Sequence, residues 1–308
     1  MIRSNFVNRK RPFVQRRSED RRCCGPQTRA PFLRSAAAKF DSLLNSFRLA
    51  AMAKPNCIEL PTGEKIPILY EDRAVMAIDK PRGWMLVPFS WQRTDRNLQA
   101  ALTSSIAAKD FWAKSRNLKF IRFVHRLDAE TTGILLLAKS LGAVDTYGNL
   151  FESRKMEKVY LAVVHGVPKQ TEWTARFKLS PDELRHGRMK VDPREGKEAE
   201  TTFRVLQAGT KTSLIEAHPF TGRTHQIRVH LLESGFPIVG DEMYGPERKP
   251  KKAMALRAVS LTFNDPFNRK RIQIRASADW FLREYGFQLL KSDAKPEPVG
   301  KDKAAPIS

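Results

Sequence analysis

The chain has 308 residues, 41% hydrophobic and 29% charged, with 55 Lys+Arg against 33 Asp+Glu and a formal net charge of +22. That length supports a buried core, the ordinary apolar fraction excludes wholesale disorder, and the longest apolar run near the centre, Ile134 to Ala138, is far short of a bilayer crossing. Three cysteines (Cys23, Cys24, Cys57) make neither a disulfide framework nor a C-x-x-C knuckle, which points to a reduced compartment.

In chain order, residues 1–53 come first, with 12 basic and 3 acidic side chains and no sustained apolar period. They read as a disordered basic arm or as sequence ahead of the true start at Met52, with an organelle transit peptide as the third reading. Of the total charge, this segment carries +9 and the Lys/Pro/Asp/Ala-rich tail 291–308 carries +1, leaving +12 on the body 54–290. The body is therefore basic in its own right, and nucleic acid is the leading partner.

Within the body, Tyr70–Asp79 holds a strand ending at Lys80-Pro81. Leu118–Val124 alternates, and Gly133–Ala138 is a fully apolar run suited to a central buried strand. Leu141–Arg154 has a helical face through positions 141, 144, 147, 150 and 151. Val159–Val164 is β-rich, and Thr201–Leu206 with Ser213–Ala217 reads as a strand pair. Thr224–Ser234 is predicted as a helix closed by Gly235, and Leu256–Phe263 and Arg271–Ala276 as two final strands. With no repeat and no strict β-α-β rhythm, a doubly wound parallel sheet is disfavoured and a mixed α+β fold is expected.

Two polar segments carry chemistry. HRLDAETTG (His125–Gly133) is a polar loop between apolar strands, where a scaffold can hold a reactive carboxylate, although an Asp in a loop is more commonly a turn former. GRTHQIRVH (Gly222–His230) puts His225 and Arg228 on one helical face near an N-terminus, a placement that opposes the helix dipole and calls for an anion. Solvated surface charges are the commoner explanation of such a face. In a third stretch, KVYLAVVHG, Tyr160 and Lys158 share a strand face, though a buried tyrosine is more often plain core. The histidines lack metal-ligand spacing, so no metal is expected. Without a phosphate-binding loop, dinucleotide fingerprint or nucleophile elbow, nucleotide hydrolysis, dinucleotide redox chemistry and serine hydrolysis have no basis.

Taken together and in order, HRLDAETTG, KVYLAVVHG, GRTHQIRVHLLESGFPIVGDEMYG and LRAVSLTF, preceded by KPRGWMLVP (Lys80–Pro88), resemble the RluA-type family of pseudouridine synthases from about Tyr70 to Ala276. The resemblance implies a bent, mainly antiparallel mixed sheet with flanking helices and a central catalytic cleft over residues 54–290. It implies an RNA uridine isomerase in which Asp128 is the catalytic carboxylate. Tyr160 packs against the target uracil and helps remove the C5 proton, and Arg228 ion-pairs with Asp128. Arg126 enters the gap left by the flipped nucleotide, and His125, Thr131, Arg223, His225 and Gln226 are the further expected substrate contacts. No cofactor or metal is implied.

The expected partner is ribosomal or transfer RNA, and no membrane partner is expected. A monomer in the cytoplasm is the default, or in mitochondria if residues 1–53 are a transit peptide. Two departures stand out: Thr132 where the family often has Ser, and Leu256-Arg257-Ala258 where many members have Leu-His-Ala. No S4 RNA-binding module is legible in 1–69. The alternative is an RNA-binding or ribosome-assembly factor that kept the fold and lost catalysis.

Overall fold

The computed structural model describes residues 54–60, 62–86, 96–247 and 250–288. All of them lie in the second of two compact units, Lys54–Ser308. The expected arm at 1–53 and tail at 291–308 lie outside the described residues, as do the last residues of KPRGWMLVP.

The twelve strands of the described residues are β1 (Cys57–Glu59), β2 (Lys65–Glu71), β3 (Val75–Lys80), β4 (Arg122–Phe123), β5 (Thr132–Ala138), β6 (Glu157–His165), β7 (Glu172–Pro181), β8 (Met189–Val191), β9 (Lys197–Ala208), β10 (Thr212–Pro219), β11 (Leu256–Asn264) and β12 (Arg271–Arg275). They form one sheet in the order β1-β2-β3-β5-β11-β6-β10-β9-β7-β8, with β12 beside β11 and β4 beside β5. Every pairing is antiparallel except β5 with β11, which joins Thr132 to Arg257 and Gly133 to Ala258 in parallel. This is the mixed, mainly antiparallel α+β architecture that the motifs imply. Register shifts in the β2–β3, β9–β10 and β6–β11 ladders mark bulges, which bend strands and re-aim their side chains.

Each half of the sheet has its own core. One gathers β3, β5 and the Leu98–Ala107 helix around Ile78, Leu135, Leu136 and Leu102. The other gathers β6, β10, β11 and the Asp279–Tyr285 helix around Val163, Ile215, Leu256 and Phe281. Tyr160 packs against both. β5 is buried at every residue, which explains why its sequence does not alternate.

Gly133 makes the parallel joint possible. Its φ is +106°, and a Cβ there would collide with the Ala258 carbonyl oxygen.

Several expectations are corrected. The strand expected within Tyr70–Asp79 is β3, which ends at Lys80, while Tyr70–Glu71 close β2, so the segment also holds the hairpin turn. Asp72 turns the chain by accepting from the backbone N–H groups of Ala74 (2.7 Å) and Val75 (2.8 Å). Of Leu118–Val124 only Arg122–Phe123 is strand, because Arg122 already pairs with Ala138, the last residue of β5, and nothing extends the ladder beyond it. The helix predicted from Thr224 starts at Gln226. Strand β7 and the Leu98–Ala107 and Asp279–Tyr285 helices are absent from the sequence reading above. Among the described residues no helix is long and apolar enough to cross a membrane.

Candidate active site

Loop 124–131 links β4 to β5 and is fastened from three sides. Fully buried Lys80, at the end of β3, donates from Nζ to the carbonyl oxygens of Pro81 (3.0 Å), Ala129 (2.7 Å) and Thr131 (3.0 Å). The Gly83 N–H donates to the Ala129 carbonyl at 2.9 Å, and the Thr131 N–H closes the turn onto the Asp128 carbonyl at 3.2 Å. His125 Nε2 accepts from the Leu136 N–H at 3.0 Å, and its ring stacks on Phe151 with centroids 4.4 Å apart. The Asp128 side chain leaves this fixed loop about one quarter exposed.

The facing wall is the Gln226–Glu233 helix. His225 precedes it in the left-handed conformation at φ 55°. The Gln226 amide fastens the approach: its oxygen accepts from Thr221 Oγ1 (2.6 Å) and the Arg223 N–H (2.9 Å), and its nitrogen donates to the Glu200 carbonyl and Thr201 Oγ1, both at 2.9 Å. One turn into the helix, Arg228 holds two carboxylates. Its Nε and one terminal nitrogen grip Asp241 at 2.7 and 2.8 Å, and the other terminal nitrogen donates to Asp128 Oδ2 at 3.1 Å. The guanidinium also lies 4.9 Å from the centroid of the Tyr244 ring. These two carboxylates are the anions that a cation near a helix N-terminus requires.

Between the two walls lies a cleft of about 400 Å³, in the range of small-molecule pockets, lined in part by Asp128, Tyr160, Lys158 and Arg228. Tyr160 and Lys158 enter it from β6 at period two, and Lys158 donates to the Thr221 carbonyl at 2.9 Å. Arg126 donates to Thr224 Oγ1 at 2.7 Å, bridging the two walls.

Burial sets the electrostatics. It works against the Arg228 charge, yet hydrogen bonds and charge from Asp241, with the Asp128 charge, raise that pKa above the ordinary guanidinium value. Burial likewise opposes ionisation of Asp241, but Arg228 and the backbone N–H groups of Tyr244 and Met243 hold its carboxyl below the usual range. Burial, with the Asp128 charge, pushes the Tyr160 phenol up. Burial alone brings Lys158 down to about 8. It lowers His225 as well, against the pull of the Asp128 charge.

The structure thus brings Asp128, Tyr160, Arg228, Arg126, Arg223, His225 and Thr131 around one cleft. His225 Nε2 lies 3.9 Å from Asp128 Oδ1, and its Nδ1 lies 2.9 Å from the Tyr244 hydroxyl. Arg223 is exposed and anchors its Nε to the Glu198 carbonyl at 3.1 Å. Two of the expected contacts are otherwise engaged: all four hydrogen-bonding positions of the Gln226 amide are filled from within, and His125 is committed to Leu136 and Phe151.

Sequence reasoning missed Asp241, Tyr244 and Lys80. All three lie inside quoted motifs, and an acid between Gly240 and Gly245 downstream of an unpaired helical Arg was the available signal. The Arg257 departure is also resolved. Its buried guanidinium pairs with Asp79 at 2.9 and 2.7 Å and lies 4.9 Å from the Trp280 ring centroid, tying β11 to β3 next to Lys80. Thr132 Oγ1 is buried with no hydrogen-bond partner among the described residues. Among those residues, no group of three His, Cys, Asp or Glu side chains could hold a metal ion.

Residues 74–233 match the family model described as RNA pseudouridylate synthase. Among curated relatives, the ribosomal large subunit pseudouridine synthase C of Buchnera aphidicola subsp. Schizaphis graminum is 32% identical over 228 residues, covering 71% of this chain and 69% of the relative. The dual-specificity RNA pseudouridine synthase RluA of Vibrio cholerae is 32% identical over 208 residues, covering 67% and 80%. Among solved structures, human RNA Pseudouridylate Synthase Domain Containing 1 aligns with a TM-score of 0.58 at 25% identity, covering 76% of this chain and 97% of that one. Human RNA Pseudouridylate Synthase Domain Containing 4 shares the fold with a TM-score of 0.59 at 23% identity, covering 71% and 91%. With the motifs and the sheet in agreement with these matches, the chain belongs to the RNA pseudouridylate synthase family, isomerases that act on RNA.

Proposed function

We propose that this protein converts a uridine of ribosomal RNA to pseudouridine, with Asp128 as the catalytic carboxylate. The observation that carries the residue assignment is the 3.1 Å pair between Asp128 and Arg228 at the cleft, with Arg228 itself anchored by Asp241. The isomerisation breaks the N1–C1′ bond, turns the uracil and joins C5 to C1′. C5 loses a proton and N1 gains one, so no co-reactant is needed. Such a step wants a carboxylate of fixed direction and an enclosed pocket that retains the detached base.

Asp128 is aimed by Arg228 and by the fastened loop. Tyr160 walls the uracil. Its phenol is held protonated first by burial and then by the Asp128 charge, which favours packing against the base over a direct part in removing the C5 proton. Arg126, bonded across the cleft to Thr224, fills the helix gap when the nucleotide is everted in this reading, and Arg223, His225 and Thr131 belong to the lining around the substrate. The name of the Buchnera relative, a ribosomal large subunit synthase, favours ribosomal RNA, and transfer RNA is kept as the second substrate class. A cytoplasmic monomer is the accompanying expectation.

The test is pseudouridine mapping of bulk RNA from cells lacking this gene, before and after treatment with purified protein. Wild type should restore at least one site. Asp128→Asn should restore none while binding the RNA within a few-fold of wild type. Substantial turnover by that variant would remove Asp128 from its role, and no conversion by wild type would favour a non-catalytic RNA-binding factor.

A further inference from the structure

The Leu141–Glu152 helix ends on a residue that its backbone disfavours. The Arg154 N–H donates to the Phe151 carbonyl at 3.2 Å and the Lys155 N–H to the Leu150 carbonyl at 2.9 Å, the paired bonds of a Schellman closure. That closure puts Arg154 at φ 60°, where glycine is the usual residue and a side chain carries strain. The Arg154 guanidinium carbon lies 5.0 Å from the centroid of the Phe220 ring, and Arg154 itself lines the cleft.

Phe220 is 53% exposed, a large apolar side chain left in solvent. It stands between Pro219 and Thr221, both of which line the cleft, and its N–H is fixed to the Glu200 carbonyl at 2.9 Å. Nothing in the chemistry at Asp128 uses this pair. The cleft lining beside it is mostly basic: Arg126, Arg154 and Arg223 are exposed and Lys158 is half-buried, against two acids, Asp128 and Glu152.

We propose that Phe220 and Arg154 form a stacking platform for the RNA base that neighbours the everted uridine. The proposal rests on the reading of this cleft as a uridine pocket. Eversion unstacks the bases on both sides of the target; Arg126 takes the gap left in the helix, and the aromatic face carrying a guanidinium at the cleft mouth receives the base that leaves the stack beside the uridine. The surrounding cations select a polyanion over an apolar protein segment as the occupant. Stacking of this kind tolerates any base, so the platform raises affinity for an opened strand without choosing sequence.

Two probes test it: bulk ribosomal RNA from cells lacking the gene, for turnover, and a short single-stranded RNA with one uridine flanked by 2-aminopurine, for fluorescence. Phe220→Ala should raise KM about tenfold, more than it lowers kcat, and should abolish the change in 2-aminopurine emission on binding. Phe220→Tyr should restore both. Arg154→Gly should raise Tm by roughly 2–4 °C by relieving the left-handed backbone, while also raising KM. Unchanged KM and emission in Phe220→Ala, or a stabilised Arg154→Gly with wild-type affinity, would overturn the proposal. If wild type forms no pseudouridine yet emission still depends on Phe220, the activity reading fails and the platform stands.

Discussion

Arg228 serves two carboxylates with one guanidinium, and the division of labour is unequal. The bidentate grip on fully buried Asp241 fixes the plane of the guanidinium, and the remaining nitrogen reaches the partly exposed Asp128. Asp241 is therefore a positioning residue for Asp128, the carboxylate proposed as catalytic. Asp241→Asn removes one charge of a buried pair and should cost about 3–5 kcal/mol of stability, read from urea midpoints. The protein that remains folded should show a kcat loss larger than any change in KM. A stable variant with wild-type kcat would mean that Asp128 alone orders the arginine. Asp128 and Arg228 were legible in the sequence because each sits in a long motif. Asp241 was not, since its role exists only through a partner thirteen residues away on another element. His125 and Gln226, which the resemblance implies as substrate contacts, line the cleft but spend their hydrogen bonds within the fold, which no sequence pattern announces.

The loop that carries Asp128 is held because strands on either side of it cannot shift. Lys80 closes β3 over the loop, and Gly133 opens β5 against β11 where a side chain would strike the Ala258 carbonyl. Gly133→Ala should destabilise by about 2–3 kcal/mol and lower kcat by moving Asp128. Gly142→Ala, in the Leu141–Glu152 helix with open space where its Cβ would sit, should be neutral or slightly stabilising. Equal urea midpoints for the two variants would deny the joint its role. Elements with strong local signals were legible: the all-apolar β5, the amphipathic Leu141–Glu152 helix and the β11–β12 pair. β7 went unread although Trp173, Ala175, Phe177 and Leu179 alternate with Thr174, Arg176, Lys178 and Ser180, the period-two signal of a half-buried strand. The strand before Lys80-Pro81 was legible as β3, whereas the turn ahead of it was not, because Asp72-Arg73 lacks the glycine or proline that usually announces one.

Across the whole molecule, acid lability follows from two buried imidazoles. His230 is fully buried with no hydrogen-bond partner for either nitrogen among the described residues, and burial brings it down to about 4. His125 is brought to about 3 by burial and the nearby Lys158 charge. Each binds its proton more weakly in the fold than in the unfolded chain, so their stabilising contribution is complete above the unfolded value near 6.5. It is lost as pH falls from there toward the folded values. His230 alone should account for about 2 kcal/mol lost by pH 5. His230→Leu should flatten the fall in urea midpoint between about pH 7.5 and pH 5 relative to wild type, and an equally steep fall in both would place the lability elsewhere.

The parallel seam between β5 and β11 has a kinetic corollary. The groups that meet at the seam come from distant stretches, Thr132 pairing with Arg257 and Asp79 lying 178 residues from Arg257, and the cleft beside it joins Asp128 to Arg228, 100 residues apart. Pairings of such long sequence separation are slow to form because loop closure must precede their reward. A nascent chain emerging from the ribosome therefore holds its HRLD loop without the guanidinium that directs it, and competence to modify RNA arrives only after β11 has been synthesised and docked.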